Sequence, residues 1–301
     1  MALLAVIILW GVGPPVTKLI SAPPILAAAL RFGMSVPVVW ALAYASGRRM
    51  SMTVLRHTAI AGVLFGTNLM FLFAGLQHTS VTVISVVQAL TPGLVLVVAG
   101  RWLGERASLR HVAWTGLGIA GVIVVVLGGD PEVSGDLTGF VFAVASMLAF
   151  VGYYVINRRA RSTTAIDPIQ WMAGVTLFAA LTVTPVALIS SSSDDVGRFG
   201  AGDWAYLAFV AVVVGIVSHF LMSWVHAFVP ASKSSPALLG ANVVAIAVAW
   251  PLHDEPITWL QALGGVVVLA SVLAIVRKPS VQVPSRTAPA DEPEEPPLPS
   301  V

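Results

Sequence analysis

His78–Gly129 reads HTSVTVISVVQALTPGLVLVVAGRWLGERASLRHVAWTGLGIAGVIVVVLGG, an apolar segment, a short basic turn around LGER, and a second apolar segment. The pattern returns in Phe228–Lys278, FVPASKSSPALLGANVVAIAVAWPLHDEPITWLQALGGVVVLASVLAIVRK. Glu105 and Glu255 occupy the same place in the two copies, where the first apolar segment ends. A repeat of this size in so apolar a chain predicts two like halves packed around a shared site.

The composition of the chain indicates a membrane protein. Of its 301 residues, 57% are hydrophobic and only 10% are charged, against roughly 25% charged in ordinary soluble domains. A bilayer can accommodate that much apolar surface, and a soluble core cannot. The chain has no cysteine, which excludes disulfides, thiolate metal sites and cysteine nucleophiles. A net charge of +2 is too small to indicate a nucleic-acid partner.

Ten apolar segments come close to the roughly 20 residues that cross a bilayer as a helix. The segments are 2–20, 23–45, 57–76, 79–101, 111–129, 137–157, 169–190, 204–229, 234–252 and 258–276. The sequence therefore predicts an all-α integral membrane protein with ten transmembrane helices. The Ser190–Gly202 loop is polar and is interpreted as a connector.

Basic residues alternate between the predicted loops. Of the 16 lysines and arginines, 13 fall on one side of the membrane, two on the other, and Arg31 lies inside the second segment. The positive-inside rule then places both termini in the cytoplasm of a multi-pass protein of the plasma or inner membrane. Five crossings per half is an odd number, so the second half is predicted to be inverted relative to the first.

The predicted organisation is a first five-helix repeat at 1–129, an inverted second repeat at 137–278, and a tail at 279–301. The tail holds seven prolines and four acidic residues and is expected to be a disordered cytoplasmic segment.

Pro92 lies near the middle of the fourth segment, and Asn242 stands at the equivalent place in the ninth. Proline frees a backbone carbonyl, and such a break persists in a membrane only where protein or water satisfies the freed group. A packing kink is the alternative, because proline and glycine are common in membrane helices. The matched positions favour a central site.

Polar side chains occur at similar depth in other segments. Gln88 stands one turn before Pro92, Asn68 is close to the middle of the third segment, and His219 to the middle of the eighth. Each could simply bond to a neighbouring helix, but several at one depth favour a wet, substrate-binding cavity. His219 is the best candidate for a titrating group.

Two further residues lie inside segments. Trp10 is central, where it could stack on an aromatic or cationic substrate or pack against a helix. Arg31 could extend its long stem to the interface, or pair with a substrate anion or a carbonyl as a gating or ion-pair residue. Tyr153, Tyr154, Trp224 and His226 are interpreted as interface anchors, because they lie nearer the segment ends.

Glu105 and Glu255 are candidates for gating ion pairs at the segment ends, or are solvated loop acids. A metal reading of the run His253-Asp254-Glu255 is disfavoured, because adjacent residues project in different directions, and no metal or other cofactor is predicted. No segment carries a mid-depth acid, and no P-loop, HExxH or GxSxG motif occurs. An enzyme is therefore the least favoured class.

These features resemble the EamA-type branch of the drug/metabolite transporter superfamily, and the likeness extends from the first segment to about Lys278. The motifs that carry it are Trp10-Gly11, Leu30-Arg31-Phe32, Phe71-Leu72-Phe73-Ala74-Gly75-Leu76, Pro92, Leu103-Gly104-Glu105-Arg106, Glu255-Pro256 and Gly264-Gly265. The resemblance implies ten helices in two inverted repeats and a central cavity lined by segments one, three, four, six, eight and nine. It also implies export or exchange of small metabolites, amino acids or drug-like compounds.

The sequence thus predicts a secondary transporter, an exporter or exchanger, working by alternating access. The partners expected are a small-molecule substrate and the lipid bilayer, with coupling to protons or a counter-substrate and a homodimer as open options. The alternative is a membrane sensor or scaffold that does not transport.

Overall fold

The computed structural model describes residues 1–104, 108–128, 137–253 and 257–276, and within these ranges the chain forms helices and no strand. The helices are α1 (Ala2–Lys18), α2 (Pro24–Ala45), α3 (Met52–His78), α4 (Val81–Ala89), α5 (Thr91–Trp102), α6 (Leu109–Leu127), α7 (Leu137–Thr163), α8 (Pro168–Ser190), α9 (Ser193–Gly197), α10 (Ala201–Phe209), α11 (Ser218–Phe228), α12 (Ala231–Ala237), α13 (Leu239–His253) and α14 (Trp259–Val276). A π-helical segment, Val210–Val217, joins α10 to α11.

Among the described residues, seven helical stretches are long and apolar enough to cross a membrane. They are Pro24–Ala45, Met52–His78, Val83–Trp102, Leu137–Thr163, Pro168–Ser190, Ala201–Phe228 and Ala231–His253. Ala2–Lys18 and Trp259–Ile275 are shorter apolar helices, and α6 spans 19 residues. Large apolar side chains such as Ile60 and Leu188 are exposed on the outside of the bundle, as expected of a surface that faces lipid.

Two of the long stretches are interrupted near the middle. The first breaks at Leu90, between α4 and α5, and Pro92 stands in the first turn of α5. The second breaks at Leu238, between α12 and α13, one residue before Leu239 begins the next helix. The first break has a covalent cause, because Pro92 has no N–H to donate to the carbonyl of Gln88.

Small residues set a close contact between α3 and α8. Gly62 and Gly66 lie one turn apart on α3 and face the backbone of α8. A Cβ on Gly66 would stand 2.8 Å from the carbonyl oxygen of Ala179 and 3.0 Å from its Cα. The GxxxG spacing therefore lets two helix backbones meet with no side chain between them.

The Ser190–Gly202 connector contains the short helix α9 rather than an extended loop. Asp195 accepts hydrogen bonds from the backbone N–H (2.8 Å) and the hydroxyl (3.1 Å) of Ser192. These bonds stabilise the carboxylate and lower the pKa of Asp195 below its usual value. The predicted tail, 279–301, lies outside the described residues.

Candidate functional site

A cavity of about 140 Å³ lies between the helices. Its walls come from α1 to α5, α7, the π-helical segment, α11 and the α12–α13 junction. Seven residues singled out in the sequence line this one space, namely Trp10, Arg31, Asn68, Gln88, Pro92, His219 and Asn242. The two helix interruptions border it as well, through Thr91 and Pro92 on one side and Leu238 and Leu239 on the other.

Ser146 on α7 organises the polar wall of the cavity. The Asn68 amide donates to the Ser146 carbonyl oxygen (3.0 Å) and to its Oγ (2.9 Å). The Gln88 amide donates to the same Oγ (3.3 Å), and Thr91 donates to Gln88 Oε1 (3.3 Å). The interhelical bonding considered for Asn68 and Gln88 is therefore present, and both residues line the cavity at the same time.

Trp10 packs inside the bundle and not at an interface. Its indole Nε1 donates to Ser218 Oγ (2.6 Å), and Ser218 in turn donates to the carbonyl of Val214 in the π-helical segment. The Trp10 ring meets Phe150 edge-on, with centroids 5.5 Å apart. The indole is thus fixed at both ends, by a hydrogen bond and by an aromatic contact.

His219 belongs to an aromatic group that we call the floor, made of Trp10, Phe65, Phe150, Tyr153 and His219. Its ring lies 4.9 Å from Trp10 and 4.4 Å from Phe65 between centroids. Tyr153 stacks on Phe65 at 4.8 Å, and its hydroxyl lies 3.3 Å from His219 Nδ1. The floor closes the cavity toward the C-terminal ends of α7 and α11.

Arg31 does not extend to the membrane surface. The residue is only 3% exposed, and its Nε donates to the carbonyl of Val210 (3.2 Å). A Cβ on Gly215 would stand 3.2 Å from one Arg31 amino nitrogen, so the absence of a side chain there makes room for the guanidinium. The π-helical segment supplies both the carbonyl and the glycine, which agrees with the frequent occurrence of π-bulges at functional sites.

Three residues interpreted as interface anchors are instead buried. Tyr153 is 1% exposed, and Tyr154 and His226 are fully buried, whereas Trp224 is 47% exposed. The interpretation was wrong for the three because it counted distance from the segment end. α7 extends to Thr163, beyond the predicted end at 157, whereas α11 ends at Phe228 as predicted. His226 is buried because it lies on the face of α11 that packs on α7, with its ring centroid 4.5 Å from that of Tyr154.

The buried residues belong to a polar seam between α7 and α11. Ser223 and His226 follow His219 at the i+4 and i+7 positions of α11, and Asn157 follows Tyr153 at i+4 on α7. Among the described residues, Asn157 Oδ1, Ser223 Oγ and both ring nitrogens of His226 are buried and find no hydrogen-bond partner. An unsatisfied buried polar atom costs about 1–3 kcal/mol, so the seam is a costly feature. The helical spacing of these residues was visible in the sequence and was missed.

The two glutamates predicted as gates, Glu105 and Glu255, lie outside the described residues. His253, from the run considered for a metal, places Nε2 3.1 Å from the carbonyl oxygen of Pro15 in α1. That carbonyl lies in the last turn of α1, which ends at Lys18, where carbonyls lack a regular intrahelical donor. His253, the residue of this run that the structure describes, therefore links α13 to α1.

Comparison with known proteins agrees with this architecture. A solved crystal structure superposes with a TM-score of 0.73 at 21% identity, covering 91% of this chain and 94% of the other. The uncharacterized transporter YyaM of Bacillus subtilis (strain 168) is 24% identical over 88% of this chain and 89% of its own length. An uncharacterized transporter of Archaeoglobus fulgidus is 26% identical over 85% and 89%.

The family model of EamA-like transporters matches two segments, residues 1–127 and 137–277. Together these segments cover most of the chain, and the resemblance inferred from the short motifs is confirmed. The chain is a multi-pass, all-helical membrane protein that belongs to the EamA-like transporter family.

Proposed function

We propose that this protein is a secondary transporter of small organic solutes that works by alternating access about the cavity. The observation that carries the proposal is the convergence of seven residues from six helical stretches on one space inside the bundle. Amides, an imidazole, an indole and a guanidinium sit there among apolar walls. A concave, mostly apolar site with a few convergent polar groups is the usual form of a small-molecule site.

Ten crossings in two inverted five-helix halves, 1–129 and 137–278, are part of the proposal. Its first support is the position of the helix boundaries. α4 begins at Val81 and α12 at Ala231, which are equivalent positions in the two copies of the repeat. The helix breaks that follow, at Leu90 and Leu238, lie within two residues of equivalent positions.

A second support is the helix packing, in which the same pairs of positions are in contact when the halves are exchanged, though to different extents. Exchanging the halves makes α7 the counterpart of α1, and α4–α5 the counterpart of α12–α13. The contact between α1 and α13 then corresponds to the contacts of α7 with α4 and α5. The counterpart of α3 is the stretch formed by α10, the π-helical segment and α11, and the counterpart of α8 is α2. The contact of α3 with α7 therefore corresponds to that of α11 with α1. The contact of α3 with α8 corresponds to that of α10 and the π-helical segment with α2. The remaining large contacts, α2 with α8 and α6 with α14, join equivalent helices. Such a pattern is expected for inverted repeats around a shared axis.

The sidedness of the cavity fits a state that is open to the outside. The lining residues run from the middle of each helix toward the end that carries Lys18, Pro24 and His78. The positive-inside rule assigns that end to the extracellular side. The floor and the α7–α11 seam occupy the cytoplasmic half, and we propose that they part in the opposite state. The unpartnered polar atoms of Asn157, Ser223 and His226 would then meet water.

The substrates proposed are small metabolites, amino acids or drug-like compounds, exported or exchanged across the plasma or inner membrane with both termini in the cytoplasm. Coupling to protons would use His219, the buried titratable group in the floor, while exchange against a counter-substrate needs no such group. A non-transporting sensor or scaffold is the second candidate function. It would use the same cavity for binding and show no flux.

Purified protein in proteoliposomes, loaded with a panel of radiolabelled amino acids, organic acids and amines, tests the proposal. We expect efflux above that of protein-free liposomes for at least one solute, and an imposed pH gradient changes its rate if protons are coupled. Binding without flux of any bound solute would favour the sensor. An absence of both binding and flux across the panel would contradict the proposal.

A further inference from the structure

We propose that the cavity selects compact carboxylates, and that Arg31 is the residue that receives the carboxylate. The inference rests on the proposed function and names the substrate class of the same site. Its starting point is the guanidinium, which is always charged in proteins and is 97% buried here, since 3% remains exposed. A charge inside a bilayer costs about 2.5–3.5 kcal/mol on insertion scales unless it is compensated.

Arg31 is only partly compensated by the protein. Its Nε donates to Val210, and its guanidinium carbon lies 5.9 Å from the ring centroid of Phe32. The two ion pairs found among the described residues, Arg48–Asp167 and Arg198–Asp195, are elsewhere. In the described ranges neither terminal amino group of Arg31 has a hydrogen-bond partner. These are the two groups that form a bidentate pair with a carboxylate.

A cation in this cavity could meet aromatic rings such as Trp10 and Phe150, but the described lining offers it no charged partner. Among the described residues that line the cavity, none is an aspartate or a glutamate. The other polar groups are neutral amides and hydroxyls, such as Asn242, Gln88 and Ser85, and the imidazole of His219. A cationic solute would meet the fixed charge of Arg31 with no carboxylate to oppose it, and like charges in a desolvated site repel strongly.

The size and walls of the cavity limit the body of the solute. About 140 Å³ is similar to the engineered apolar cavity of about 150 Å³ that binds benzene. Leu69, Leu72, Phe73 and Ile84 add apolar surface beside the polar groups. A ring or short aliphatic chain bearing one carboxylate therefore matches both the space and the charge.

The test uses three probes that differ mainly in charge: benzoate, benzyl alcohol and benzylammonium. Their affinities for the purified full-length protein are measured by calorimetry at pH 7 and low chloride. We expect benzoate to bind at least about tenfold more tightly than benzyl alcohol, the effect of one charge-assisted hydrogen bond, and benzylammonium to bind most weakly. Arg31→Gln should remove the preference for benzoate, and Arg31→Lys should retain part of it.

Arg198→Gln is the matched control, because it removes an arginine whose side chain is 72% exposed and pairs with Asp195. It should leave all three affinities unchanged. The order of the three affinities in the wild-type protein tests the inference even if Arg31→Gln fails to fold. Equal or tighter binding of benzylammonium or benzyl alcohol, or binding of none of the three, would overturn it. Flux of neutral or cationic solutes in the proteoliposome panel would in that case leave the transporter proposal intact.

Discussion

Gly66→Leu is expected to abolish most of the folded yield of the protein. A Cβ at this position would lie 2.8 Å from the carbonyl oxygen of Ala179, and the neighbour is helix backbone, which cannot rotate away as a side chain can. Overpacking usually costs about 1–3 kcal/mol, and more where the neighbour is rigid. The α3–α8 contact would have to open along its length, and that contact also fixes the helix that carries Asn68. The measurement is the monodisperse fraction and the melting temperature in mild detergent.

Gly33→Leu is the control for this prediction. A Cβ on Gly33 would meet nothing within 4 Å, and the residue is exposed on the surface of α2, so an apolar side chain there should be accepted by lipid or detergent. Equal yield and melting temperature for the two leucine variants would show that the α3–α8 contact is not close-packed as described.

Asn242→Trp is expected to bring solute flux down to the level of protein-free liposomes, with folding preserved. Asn242 is partly exposed and lines the cavity, so an indole at this position would occupy much of a space of about 140 Å³. A cavity that is filled can neither bind nor carry a solute. The assay is efflux of the radiolabelled solute for which the wild-type protein shows flux, together with its binding affinity.

Ala247→Trp is the control on the same helix. Ala247 is exposed and borders a groove formed by α13 and α14, away from the cavity, so the same added volume lies where lipid can adapt. It should keep near wild-type flux. If Asn242→Trp transports normally while Ala247→Trp does not, the transported solute does not pass through this cavity.

The depth of polar groups within the apolar segments predicted some of the residues that line the cavity. Trp10, Asn68, Gln88 and His219 were chosen because polar or amphipathic groups are costly at mid-membrane depth, and burial forces such groups together. The break beside Pro92 follows from a missing backbone donor. Whether these residues bind a substrate remains a prediction.

Other features depend on tertiary contacts, which the hydrophobic periodicity of the sequence does not predict. The π-helical turn at Val210–Val217 has no proline or polar signal in its sequence, and Arg31 remains inside the bundle because that turn offers it a carbonyl and a glycine. Ser146 carried no signal either, since a lone serine in an apolar helix usually bonds to its own backbone. Tyr153 and His226 were assigned to the interface because distance from a segment end does not show which face of the helix a side chain occupies, as the exposed Trp224 beside the buried His226 illustrates.

The most direct test of the central claim is side-specific labelling of an engineered cysteine. The chain has no cysteine of its own, so a single Asn242→Cys variant gives a signal without background, with Ala247→Cys as the lipid-facing counterpart. A membrane-impermeant maleimide added outside intact cells should label Asn242→Cys and leave Ala247→Cys unmodified. An Asn242→Cys variant that reacts only from the cytoplasmic side, or not from either side, would contradict a water-accessible cavity that opens outward from the middle of the membrane.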